Sequence, residues 1–259
     1  MWPILARFGP YTLYSYTILL SLAVAVALAR LYRAAPPDRR NRWLDAGIAA
    51  TLGGLLGARL AYVFANGAYY AARPAEALMF WQGGLGWPGA AAGGLLGLWL
   101  YTRRVREPLP PLLDALALPV GLLSLLSWGG CLASGCAYGA EVTPGQLPAW
   151  LVSTAPDLYG LSAPLWPVQA IGIAWSLFAL AAVWANRRAR WPAGAQGLYA
   201  LSLAALGPFC LGFVRGDPMP LLAAIRLDVV ASGLALVAAT LAWAGLVLRR
   251  PASLSTPAP

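Results

Sequence analysis

Two cysteines five residues apart lie in the stretch Trp128-Gly129-Gly130-Cys131-Leu132-Ala133-Ser134-Gly135-Cys136-Ala137-Tyr138-Gly139. Sulfur offers three chemistries there. As thiolates, Cys131 and Cys136 are candidate catalytic nucleophiles, stabilised by a nearby arginine because the chain has no histidine to serve as base. As an oxidised pair they form a bridge, but only if the helix breaks between them. On an unbroken helix, five residues separate the side chains by about 140° in direction and about 7.5 Å in rise, too far for a disulfide. A helix ending at Gly135 brings the pair within reach on an oxidising side of a membrane. As buried thiols they only pack, as expected of Cys210 in the middle of another apolar run. Residue types leave the three readings of Cys131 and Cys136 open.

Arginine supplies the second candidate chemistry. Arg59 lies two-thirds along an apolar run with Tyr62 one turn later, and a central arginine costs about 2.5–3.5 kcal/mol to insert. It therefore needs a phosphate or carboxylate in a cavity, a structural pair, or a path for its head to the interface. Arg215-Gly216-Asp217 closes a later run and reads as a snorkelling arginine followed by a turn. Asp114 opens another run, where a solvated acid complements the helix dipole.

The elements that must position these groups are membrane helices. Hydrophobic residues make up 60% and charged residues 10% of 259 residues, and the mean hydropathy is +0.66, outside the balance of a water-soluble domain. The net charge of +9 is carried by arginine alone and sorts by loop, which argues against nucleic acid as the partner. Apolar runs long enough to cross ~30 Å of hydrocarbon fall near 11–31, 45–65, 83–102, 112–133, 166–186, 194–214 and 227–248. The pattern predicts an all-α polytopic membrane protein of seven transmembrane helices, one domain over 1–250, with an interfacial arm at 66–82, a small extracytoplasmic cap at about 140–165 and a disordered tail at 251–259. Arginines cluster after the first, third, fifth and seventh runs, which places the N-terminus outside and the C-terminus in the cytoplasm. The start has no basic leader or cleavage site and reads as mature sequence. Without lysine or histidine a retinal or haem group has no usual ligand, so no cofactor and no metal is expected.

Small residues recur at helical spacing at Gly53 and Gly57, at Gly89, Gly93 and Gly97, and at Gly135 and Gly139. In lipid such rows let helices approach closely. Gly83-Gly84 and Gly86-Trp87-Pro88-Gly89 stand where a span begins and predict a broken entry lining a cavity.

The order of Gly9-Pro10 with Leu13 and Tyr16, Gly57-Ala58-Arg59-Leu60-Ala61-Tyr62, Trp81-Gln82-Gly83-Gly84-Leu85 with Gly89, Asp114, the glycine-cysteine stretch, Trp166-Pro167-Val168-Gln169 and Phe213-Val214-Arg215-Gly216-Asp217 resembles the prolipoprotein diacylglyceryl transferases. The resemblance runs from about residue 9 to 248. It implies an enzyme of the bacterial cytoplasmic membrane that moves the diacylglyceryl group of phosphatidylglycerol onto the lipobox cysteine of a preprolipoprotein. It also implies that Tyr16, Arg59, Gly139, Gln169 and Arg215 bind substrate. Several positions depart from the family pattern. Trp87-Pro88-Gly89-Ala90 replaces a Phe-His-Gly-Gly segment, Trp128 stands for an arginine, Cys131 and Ser134 for asparagines, Cys136 near a glutamate, and Pro208 and Gly212 for an arginine and a glutamate. These replacements predict an altered or lost activity, and the alternative is a non-enzymatic membrane protein that binds lipid or a partner in the same cavity. A small-solute carrier is disfavoured, because the spans hold few ionisable groups and no matched half-chain repeats.

Overall fold

The computed structural model describes residues 2–9, 11–80, 83–143, 145–154 and 162–249. Among them run α1 (Ser15–Ala34), α2 (Arg40–Ala65), the short α3 (Gly67–Ala72), α4 (Trp87–Val105), α5 (Leu109–Ser134), α6 (Val168–Ala185), α7 (Ala195–Leu211) and α8 (Leu227–Leu248). Two small antiparallel pairs accompany them, β1 (Ile4–Phe8) with β2 (Tyr11–Tyr14) and β3 (Leu221–Leu222) with β4 (Ile225–Arg226). Helices α1, α2, α5, α6 and α8 are long and apolar enough to cross a membrane. Helix α4 ends in Arg103 and Arg104, and α7 spans only Ala195–Leu211. The architecture is that of an α-helical membrane protein.

Several boundaries move from their sequence expectation. The first helix begins at Ser15 rather than near 11, because Tyr11–Tyr14 pairs with Ile4–Phe8 and the Ser15 hydroxyl and amide both bond back to the hairpin, at Trp2 O and Pro3 O. The third long helix starts at Trp87, since Gly83 and Gly84 take positive φ, a conformation that glycine adopts without strain. The expected arm appears in part as α3 and a 3-10 turn at Pro74–Leu78. In the expected cap, Leu165 bridges Glu141 and Ser153. The expected tail from 251, and Trp81 and Gln82 of the arm, lie outside the described residues.

Helix α5 is the centre, packing on α1, α6 and α7, while α2 packs on α4 and α7 on α8. The α2–α4 seam is the glycine row read from the sequence. A methyl on Gly57 would strike the carbonyl oxygen of Gly89, and one on Gly93 that of Gly53, so the two backbones touch directly. At the arginine-rich end, the buried carboxylate of Glu107, between α4 and α5, accepts from Arg39 at 3.4 Å and Arg42 at 3.2 Å. Asp114 does not serve its own helix. Its two oxygens accept the amides of Gly194 at 2.8 Å and Gly197 at 3.0 Å, capping the start of α7.

Candidate functional site

The chemistry-bearing residues fall into two constellations. The first is built on the last third of α2. Arg59 is buried, and its guanidinium is held by four backbone carbonyls: Nε donates to Ala77 O at 2.8 Å, Nη1 to Gly83 O at 2.6 Å and Gly84 O at 3.3 Å, and Nη2 to Glu76 O at 2.5 Å. Its Cζ stands 5.3 Å from the Tyr70 ring centroid. No carboxylate contacts it among the described residues, so the carbonyl dipoles orient the cation without cancelling its charge. The connection is fixed further by Gly86, whose amide bonds to Ala58 O of α2 at 3.1 Å, and by Gly84, where a side chain would meet Tyr62 and Arg59.

A cavity of about 300 Å³ opens beside this guanidinium, lined by Arg59, Tyr62, Asn66, Tyr69, Tyr70 and Glu76 with the two glycines. Its one carboxylate, Glu76, accepts from the Tyr69 hydroxyl at 2.6 Å, and Arg73 stacks over the Tyr69 ring at 4.8 Å. Two cations against one carboxylate leave the neighbourhood positive.

The second constellation surrounds the end of α5. The helix stops because Gly135 adopts φ +75° and the amides of Gly135 and Cys136 both return to Cys131 O. That reversal brings the Cys131 and Cys136 Cα atoms to 4.6 Å, and the sulfurs are bonded. In this bonded form neither cysteine carries a thiolate, so a nucleophilic role for Cys131 or Cys136 would need the bridge reduced first. The bridge expected for a helix ending at Gly135 is the one that forms. Gln169, buried at the start of α6, donates from Nε2 to Cys136 O at 2.9 Å. Gly139 pairs with Arg215 in a β-bridge, with Ala140 N–H on Val214 O at 2.8 Å and Gly216 N–H on Tyr138 O at 2.9 Å. A side chain at Gly139 would strike Trp166. Tyr16 reaches the same helix one turn earlier, its hydroxyl 3.2 Å from Ser127 Oγ and its ring seated on Gly130.

Arg215 differs from Arg59 in its partners. It makes a two-pronged pair with Asp217 at 2.8 and 2.5 Å and meets Asp228 at 3.3 Å. Arg226 completes the square through Asp228 at 3.1 Å, Asp217 Oδ1 at 3.3 Å and Asp217 O at 2.6 Å. Two guanidinium groups and two carboxylates make a neutral cluster. Burial opposes the Arg226 charge, but hydrogen bonds to Asp228 and the fields of Asp228 and Asp217 outweigh it, and the group is held charged more firmly than usual.

Thus Gly139, Gln169, Arg215 and the disulfide meet around the turn after α5 with Tyr16 beside them, whereas the contacts of Arg59 all lie in the 70–84 connection. Sequence reasoning missed Arg226, Asp228, Tyr69 and Glu76. The spacing Arg215-x-Asp217 and Arg226-x-Asp228 was the available signal for the first two. At two of the remaining departures from the family pattern, packing fills the space: Trp128 lies against Gly172, and Gly212 leaves no room beside Val229.

The sequence model of the family described as prolipoprotein diacylglyceryl transferase matches residues 3–245. A phosphatidylglycerol–prolipoprotein diacylglyceryl transferase of Rhodococcus jostii (strain RHA1) is 31% identical over 254 residues, covering 89% of this chain and 69% of its own length. One from Parasynechococcus marenigrum (strain WH8102) is 32% identical over 233 residues, covering 84% of this chain and 81% of its own length. A phosphatidylglycerol–prolipoprotein diacylglyceryl transferase 2 of Streptomyces coelicolor is 31% identical over 235 residues, with 85% and 70% covered.

Proposed function

The chain belongs to the prolipoprotein diacylglyceryl transferase family, and from that premise we propose that it takes phosphatidylglycerol as its lipid and a prolipoprotein signal segment as its partner, with the diacylglyceryl step strongly weakened. One observation carries the lipid half of this reading. Arg59 is a buried cation lining a cavity, bonded to carbonyls and facing a ring, with no carboxylate in contact with it among the described residues. A phosphate monoanion supplies the missing charge, and the hydroxyls of Tyr62 and Tyr70 suit the oxygens of a glycerol headgroup. On this reading α4 and α7 join the five helices long enough to cross, giving seven spans of the bacterial cytoplasmic membrane with the N-terminus outside and the C-terminus in the cytoplasm. The 66–82 connection then lies as an arm at the outer interface, and the 140–165 connection forms a cap.

The chemical half requires a cation against the departing glycerol phosphate and an acceptor for the thiol proton. Arg215 is neutralised by Asp217 and Asp228, the chain has no histidine, and the two cysteines are bonded to each other. Each missing charged contact weakens such a step by about 10²–10³. Retained full activity is the second reading, favoured by similarity to named transferases along most of the chain.

The experiment measures phosphatidylglycerol retained by the purified protein, together with transfer of labelled diacylglyceryl to a lipobox peptide. Glu76→Gln keeps the backbone carbonyl that holds Arg59 while removing the cavity's carboxylate, and it should raise retention severalfold. Retention indifferent to this change removes the cavity as the lipid seat. Transfer at the rate of an active relative establishes the second reading.

A further inference from the structure

A second cationic feature lies at the opposite end of α1. A groove of about 510 Å³ runs between the last turns of α1 and the first turns of α2, lined by Leu28, Ala29, Tyr32, Arg33 and Leu44. Sixteen residues of α1 separate Tyr32 from Tyr16, about 24 Å along the axis, and fifteen residues of α2 separate Leu44 from Arg59, about 22 Å, so the groove is separate from both constellations described above.

Three of its features bear on a ligand. The floor is aliphatic: Leu28, Ala29 and Leu44 present no polar side-chain atom. The rim is cationic, with Arg33 on one side and Arg40 stacked over the Tyr32 ring at 5.6 Å. The nearby carboxylates are engaged elsewhere. Glu107 takes Arg39 and Arg42, Asp38 pairs with Arg39, and Asp45 accepts from Tyr101 of α4. Arg33 and Arg40 therefore have no carboxylate partner among the described residues. A solvated arginine at a membrane edge needs none, but here the two flank an apolar trough that opens sideways between helices.

We propose that this groove binds an anionic phospholipid, one acyl chain along Leu28, Ala29 and Leu44 and the headgroup phosphate between Arg33 and Arg40. Basic pockets between helices at one membrane face hold such lipids through these two contacts together, and a guanidinium offers a phosphate a two-pronged hydrogen bond. The trough selects a lipid over free phosphate, because a soluble anion gains nothing from the aliphatic floor. Under the orientation proposed above, the lipid belongs to the cytoplasmic leaflet; the site itself requires only a membrane.

Phosphatidylglycerol and phosphatidylcholine carrying the same photoactivatable acyl chain test the assignment. Each is incorporated into bilayers around the full-length protein, and crosslinks are mapped by peptide. The anionic probe should label segments 28–33 and 40–44 in excess over the zwitterionic one. Arg33→Gln with Arg40→Gln should cut that excess by roughly fivefold for each arginine. Arg104→Gln with Arg188→Gln removes equal charge outside the groove and should leave the excess intact. Ala29→Trp, which fills the trough with both arginines present, should lower it as well. Equal labelling by the two probes overturns the site, as does an excess that survives Ala29→Trp or falls equally in the control pair. Labelling of 59–84 reports separately on the cavity beside Arg59, so failure of one assignment is distinguishable from failure of the other.

Discussion

Replacing Arg59 by glutamine separates its two duties, holding the 76–84 connection and presenting a charge to the cavity. Four carbonyl contacts depend on the guanidinium, from Glu76, Ala77, Gly83 and Gly84. A hydrogen bond to a charged group contributes about 1.5–3 kcal/mol. Glutamine has a single two-proton donor nitrogen, so at least two contacts are lost, roughly 3 kcal/mol at the low end. Since 1.4 kcal/mol is tenfold, local opening of the connection becomes about a hundredfold more frequent. Amide hydrogen exchange reads this directly. The reporters are the amides of Met79, Gly83 and Gly86, bonded to Glu76 O, Phe80 O and Ala58 O. The amides of Gly194 and Gly197, held by Asp114 in the other half of the fold, are the internal reference. Exchange should accelerate in the first set and stay unchanged in the second. If lipid retention falls while exchange of residues 76–86 is unaltered, Arg59 is an anion ligand that happens to touch carbonyls, and the account of it as a pin is wrong.

Reducing the disulfide, or replacing Cys131 and Cys136 by serine, releases a loop of only six residues and should cost about 2 kcal/mol, seen as a fall of several degrees in thermal unfolding with helix content and lipid retention preserved. Asp114→Ala removes the acceptor of two amides at the start of α7 and should cost about 1–2 kcal/mol, with exchange of residues 194–198 rising ahead of the rest. Gly93→Ala forces a methyl onto the Gly53 carbonyl and should destabilise by about 1–3 kcal/mol; Gly67→Ala, which meets nothing within 4 Å, should leave the unfolding temperature unchanged. Asp217→Asn leaves Arg215 and Arg226 to share Asp228, so it should destabilise by roughly 3 kcal/mol and increase retention of anionic lipid at the α5 end.

Features set by composition and local period were legible in the sequence. The apolar runs located the long helices, and the glycine spacing located the α2–α4 seam, because association in lipid depends on small residues that can be counted. Gly135 was readable as a possible helix stop, and the disulfide followed from the geometry of that stop. Longer-range pairings were not legible. Asp114 looked like an acid serving its own helix, but its partners lie 80 and 83 residues later, and nothing in residue type announces that distance. Arg59 was expected to need an anion or a pair, yet its partners are backbone carbonyls, which every residue has and which therefore leave no mark in the sequence. Strand β2 was absorbed into the first apolar run because it is short and as apolar as a helix end.

The two arginines matched by family resemblance have opposite electrostatic surroundings, and this contrast bears most directly on function. Dipoles around Arg59 fix its direction while leaving a net charge for a ligand; carboxylates around Arg215 remove that charge. Around Arg215 the replacements support one another. Trp128 fills the space over Gly172, Gly212 closes against Val229, and the disulfide with Gln169 fixes the turn that carries Gly139. A guanidinium introduced at Trp128 alone would be a buried charge, and the carboxylates of Asp217 and Asp228 are already engaged by Arg215 and Arg226. On the proposed reading, a strong diacylglyceryl step at this end would require a cation, its counter-charge and a proton acceptor introduced together, whereas the proposed lipid recognition at Arg59 would require no change.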